Sequence, residues 1–169
     1  MKQGRFFQVL SLSMICALLA IPSNSFAGDK VDFTGEWVLN EDKSDLGEGR
    51  AFAAFKIAVK QEGNTITIER TRTGRDGEER TNSETLTLDG KENIDEGERG
   101  SSTSVLSWSE DGNSLTIKSK REFNRQGETF EMNSTQVWTL AEDGKVLKIQ
   151  SDISSSRGER SASLVYDKK

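Results

Sequence analysis

Asp111-Gly112-Asn113-Ser114-Leu115-Thr116-Ile117-Lys118-Ser119-Lys120-Arg121-Glu122-Phe123-Asn124-Arg125-Gln126-Gly127-Glu128 holds the grammar of the whole chain. It opens on Asp-Gly-Asn, where glycine supplies the positive φ that a tight hairpin needs. Alternation follows: Leu115, Ile117, Ser119, Arg121 and Phe123 share one face, and Ser114, Thr116, Lys118 and Lys120 the other. A period of two predicts a strand with one sheltered face. The stretch closes on a second turn, in which Arg precedes a Gly-Glu pair.

Both turns recur. The acidic-Gly type returns at Glu62-Gly63-Asn64, Asp89-Gly90-Lys91 and Asp143-Gly144-Lys145, and the Arg type at Arg75-Asp76-Gly77-Glu78 and Arg157-Gly158-Glu159. Between them the chain is rich in Thr, Ile, Val, Ser and Trp, residues that suit a pleated surface. This predicts about ten strands, near 32–40, 52–61, 64–74, 79–89, 91–95, 101–110, 113–124, 128–141, 145–156 and 159–168, with no amphipathic helix. A longer loop, Asp95 to Gly100, stands in for one Arg-type turn. Consecutive antiparallel strands turn at opposite ends, so the two turn families mark the two ends of one sheet. Ten strands in one up-and-down antiparallel meander favour closure into a barrel, which removes exposed edges. The fold class expected is all-β.

Composition narrows the chemistry. The 169 residues begin with a basic Lys2 and Arg5, then an apolar run from Phe6 to Ile21, then Ser25-Phe26-Ala27. That pattern predicts a signal peptide over 1–27, cleaved after Ala27 and followed by one domain over 28–169. The run is shorter than the ~20 residues of a membrane span, and Cys16 lies too deep within it for a lipoprotein. The expected destination is a bacterial periplasm or the exterior, with no span in the mature chain.

Cys16 and Pro22 both fall in the leader and the chain has no His, so the mature part lacks all three residue types. Ser-His-Asp and Cys-His catalysis, thiolate or imidazole zinc sites, His- or Cys-ligated haem and a disulfide framework are thereby excluded. No enzyme activity and no cofactor are expected. From Gly28 onward 21 basic and 28 acidic residues leave a net charge of −7, which argues against nucleic-acid binding.

Phe33-Thr34-Gly35-Glu36-Trp37, continuing Val38-Leu39-Asn40 and Lys43-Ser44, resembles the Gly-x-Trp opening of lipocalin-like, or calycin, barrels, and in particular uncharacterised secreted bacterial proteins of that class. The resemblance implies an up-and-down barrel that carries a small hydrophobic or amphipathic ligand. It also implies a late-strand basic residue over the tryptophan, although no position in the sequence can be matched to that role. Haem-binding members use a His, which is absent here.

Strand parity sorts the inward face into two halves. Near the acidic-Gly turns it is apolar: Trp37, Leu39, Phe55, Ile57, Val59, Ile66, Ile68, Leu86, Leu88, Leu106, Trp108, Leu115, Ile117, Trp138, Leu140, Leu147, Ile149 and Leu164. Toward the Arg-type turns it turns polar, with Arg70, Arg72, Arg80, Asn82, Glu84, Ser104, Ser119, Arg121, Ser134, Gln136 and Arg160 among Phe123, Phe130, Met132 and Ile153. Five Arg face one Glu on that surface. Guanidinium forks suit a carboxylate or phosphate, so the candidate ligand site is Arg70, Arg72, Arg80, Arg121, Ser119 and Gln136, holding the anionic head of an amphipathic molecule such as a lipid or fatty acid.

Against this stands a simpler expectation, that these side chains form a solvated barrel end with ordinary Arg-Glu pairs. The corresponding function is a structural or interaction module with a filled barrel, and an interior lacking a cavity of roughly 300 Å³ would favour it. Asp42-Lys43-Ser44-Asp45-Leu46-Gly47-Glu48 gathers oxygen ligands without EF-hand spacing and reads as a solvated loop. Asp95-Glu96-Gly97-Glu98 reads likewise. Tyr166 falls on the inward parity and reads as packing.

Overall fold

Where the alternating pattern and glycine turns predicted strands, the chain forms them. The computed structural model describes residues 30–47, 53–74, 76–97, 100–125 and 128–169. The expected leader over 1–27 lies outside them. Ten strands follow in order: β1 Gly35–Leu39, β2 Lys56–Glu62, β3 Thr65–Thr73, β4 Glu79–Thr87, β5 Glu92–Gly97, β6 Gly100–Trp108, β7 Ser114–Arg125, β8 Glu128–Ala141, β9 Val146–Ser155 and β10 Gly158–Lys168. Glu41–Lys43 is a 3-10 turn capped by Asn40, whose side chain accepts from the Lys43 N–H.

The sheet runs β4-β3-β2-β1-β10-β9-β8-β7-β6-β5, antiparallel throughout. Pairing of β1 with β10 joins the two ends of the meander, leaving one seam between β4 and β5. The barrel is nearly closed. At the acidic-Gly end a single side chain spans the seam: the Thr87 N–H donates to Asn93 Oδ1 at 2.7 Å, and Asn93 Nδ2 donates to the Ser104 carbonyl at 3.3 Å. An amide suits this place because it both donates and accepts.

Two expectations about elements are corrected. Of the loop expected from Asp95 to Gly100, the described residues are strand: β5 runs to Gly97, which pairs with Gly100 of β6. Gly100 has φ +144°, and a Cβ there would lie 1.9 Å from the Glu122 carbonyl of β7. Glycine therefore lets β6 begin flush against β7. The strand expected over 52–61 starts only at Lys56, and the preceding Ala53 and Ala54 pack against the core instead.

The core fills the acidic-Gly half of the barrel. Trp37, Ile66, Ile68, Leu106, Leu115, Trp138 and Leu147 are buried, as parity demanded, and the ladder registers place them on one face. Each fully buried side chain of this size stabilises by roughly 1.5–3 kcal/mol. Phe55 departs from expectation and is only half-buried. Phe33, read in sequence only as part of a motif, is fully buried. Its ring stacks on Trp108 at 6.0 Å and meets Trp138 edge-on at 5.8 Å. Trp37 Nε1 donates to the Phe33 carbonyl at 3.0 Å, and the Val31 N–H donates to the Gly112 carbonyl at 3.1 Å. The segment ahead of β1 is thus a plug across that end.

Candidate ligand-binding site

Above the core the inward face changes character within one residue pair on each strand. On β3, buried Ile66 and Ile68 give way to half-buried Arg70 and Arg72; on β7, Leu115 and Ile117 give way to Ser119 and exposed Arg121. Inward-facing Asn82, Arg121 and Phe123 are all exposed, so this half is an open mouth.

Arg70 crosses it. Its strand lies several positions from β8 in the sheet, yet Nη2 reaches Gln136 Oε1 at 3.4 Å and the guanidinium lies 5.7 Å from the Trp138 ring centroid. Only a side chain pointing into the lumen can touch the opposite wall in this way. Nη1 pairs with Glu84 of β4. Gln136 Oε1 also accepts from Trp138 Nε1 at 3.1 Å, so the amide orients both groups. Together Trp138, Gln136 and Arg70 make the floor of the mouth.

Arg72 sits one pair above. Burial pushes its guanidinium below the usual arginine range, and the neighbouring positive charges of Arg70 and Arg121 push the same way, while Tyr166 and Glu84 oppose them. Three guanidinium groups from β3 and β7 therefore share one field. Tyr166 lies beneath them, fully buried, its hydroxyl donating to the Ala54 carbonyl at 2.9 Å. Desolvation pushes that phenol up to about 12, against the pull of Arg70 and Arg72. It stays protonated at neutral pH and serves packing.

The other candidate residues divide. Ser119 faces the lumen, half-buried, and its hydroxyl shares a 2.8 Å hydrogen bond with Ser104. Gln136 joins the Arg70 cluster. Arg80 stands opposite Arg72 in the ladder, but its exposed guanidinium turns to Asp76 in the β3–β4 turn. The structure brings together Arg70, Arg72, Arg121 and Gln136, leaves Ser119 on the adjoining wall and sends Arg80 to the rim.

The balance of charge is less one-sided than the sequence indicated. Asp95 pairs with Ser102, which pairs with Arg121, so it joins the same inward row from β5; Glu128 follows the parity of Phe130 at the tip of β8. Parity could have placed Asp95 had its segment been read as strand. A depression of about 300 Å³ on the β8–β10 wall is lined by Ser134, Ile153 and Arg160 together with outward residues, and Arg70, Arg72, Arg121 and Gln136 do not border it.

Lys168, at the end of β10, lies with Nζ 5.2 Å from the Trp37 ring centroid. A basic residue of the last strand thus covers the tryptophan, a contact that the sequence could not assign. Gly35 makes room for it: a Cβ there would come within 2.9 Å of Lys168 Cε. No cluster of three or more metal-ligating His, Cys, Asp or Glu is present among the described residues, and none of their helices is long and apolar enough to cross a membrane.

No family model matches the chain, and no curated protein matches it. Among solved structures it is similar to zebrafish ileal bile acid-binding protein complexed with cholic acid, at 19% identity over 81% of this chain and 98% of that one, with a TM-score of 0.47. At that score the likeness identifies neither family nor ligand.

Proposed function

We propose that this protein is an exported, non-enzymatic barrel that binds a small amphipathic anion in its arginine-lined mouth. The observation that carries this reading is Arg70 reaching across the lumen, with Arg72 and Arg121 beside it and Glu84 as its ionic partner. Guanidinium groups sheltered from water favour a planar oxyanion, since each fork offers parallel N–H donors. Export rests on the leader-like composition of residues 1–27, and the periplasm or the exterior is the matching compartment.

The packing of the lower half supports one orientation for such a ligand. Phe33 and the three tryptophans occupy the lumen below Arg70, so the anionic head points down to the arginines. The apolar body then rests on Phe123, Phe130, Met132 and Ile153 near the rim. Phe123 and Phe130 stack at 5.6 Å, and Phe123 is 40% exposed.

The same solid packing favours a second reading, a filled barrel that serves as a structural or protein-interaction module. Lipid extraction and native mass spectrometry of the purified protein separate the two. The binding reading expects a retained or restorable anionic amphiphile at one per chain. Repeated recovery of clean protein, with no binding across a fatty-acid and lipid panel, would overturn it. Within the binding reading, Arg121→Ala weakens dodecanoate binding about tenfold with melting nearly unchanged, the scale of one charged hydrogen bond at an exposed position. Equal affinity in both proteins contradicts an internal anion site.

A further inference from the structure

The Arg70 guanidinium has different neighbours on its two sides. One side rests on Gln136 and Trp138, which also bond to each other and belong to the central strand β8. The other side holds the Glu84 carboxylate. Arg70 is the sheltered member of that pair, with 12% of its side chain exposed against 32% for Glu84. Glu84 belongs to β4, which stands at the edge of the sheet with β3 as its ladder neighbour.

We propose that Glu84 is an internal stand-in for the ligand: its carboxylate holds the seat on Arg70 that an incoming oxyanion takes, and binding turns Glu84 out to solvent. The inference rests on the reading of the mouth as an anion site and adds a residue that sets its selectivity. A carboxylate on Arg70 offers acceptor oxygens as a ligand carboxylate or sulfonate does, so the exchange keeps Nη1 paired with an anion. Glu84 already has a third of its side chain in water, so turning it out completes its hydration and offsets part of the lost ion pair. Gln136 and Trp138 keep Arg70 in place during the exchange. An uncharged amphiphile cannot replace the carboxylate, and the site therefore discriminates by charge before it discriminates by shape.

The test compares the intact protein with Glu84→Gln and Glu84→Ala. Three probes are titrated: 8-anilinonaphthalene-1-sulfonate by fluorescence, and dodecanoate and dodecanol by calorimetry. Removing the competing charge is expected to tighten both anions about tenfold, the scale of one charge-assisted hydrogen bond, and to leave dodecanol unchanged. Anion affinities at or below that of the unsubstituted protein in both variants overturn the proposal, as does an equal gain for dodecanol. Unchanged anion binding in both variants alongside loss in Arg121→Ala removes the stand-in role and keeps the anion site. Failure of every form to bind either anion removes both. The two substitutions guard against one of them disturbing the fold.

Discussion

At the scale of single residues, the side chains with most influence are those that join parts of the chain far apart in sequence. Trp37 is fully buried, donates to the Phe33 carbonyl and carries Lys168 over its ring. Trp37→Ala empties that position and should cost about 3–5 kcal/mol of stability, read from chemical denaturation. An unmoved midpoint would mean the plug and β1 contribute nothing to the core. Asp111 acts locally. Its carboxylate accepts from the Ser109 hydroxyl at 2.6 Å and from the Asn113 N–H at 3.1 Å, in that order of influence, and is held at about 2 instead of 3.8. A folded value below the unfolded one means that this turn stabilises fully above pH 3.8 and loses its contribution as pH falls toward 2. A carboxyl NMR titration should place the Asp111 midpoint near 2, and Asp111→Asn should remove that part of the acid response. A midpoint near 4 would show that the turn bonds do not persist in solution.

At the scale of elements, the meander was legible because its information is local. Each Asp-Gly turn fixes a hairpin from within a few residues, and each strand states its own period; β8 begins and ends where the alternation placed it. The apolar half of the lumen was legible for the same reason, since parity survives when registers run unbroken. What the sequence could not disclose depends on which strands meet across space. Lys168 over Trp37, Phe33 between Trp108 and Trp138, and Arg70 against Gln136 each need the closed barrel before they exist. Asp95 was missed because its acidic, glycine-containing surroundings resemble a loop, whereas pairing with β6 holds them as strand. Asn93 belongs to this class. Asn93→Ala should free the Thr87 amide, whose one acceptor at the seam is the Asn93 side chain, and raise its hydrogen exchange while amides of the β7–β8 ladder stay protected. Unchanged Thr87 protection would mean that backbone pairing, and not Asn93, closes the seam.

At the scale of the whole molecule, an acidic chain with no His, Cys or Pro after residue 27 folds into a barrel of two unlike halves. One half is packed solid by aromatic and aliphatic side chains behind the Phe33 plug; the other is open and lined with arginine. The excluded chemistries and the inward arginines lead to the same place: under the proposed function, charged recognition in this lumen falls to Arg70, Arg72 and Arg121. The anion site is defined by position as much as by affinity under this proposal. It is tested most directly by adding dodecanoate to isotopically labelled protein and following backbone amide and arginine Nε–H signals by NMR. Saturable shifts are expected at Arg70, Arg72, Arg121, Gln136 and the Phe123–Phe130 pair, with the amides of Ile66, Leu115 and Leu147 unmoved. Shifts confined to the outer face of β8–β10, or none at millimolar dodecanoate, would contradict it.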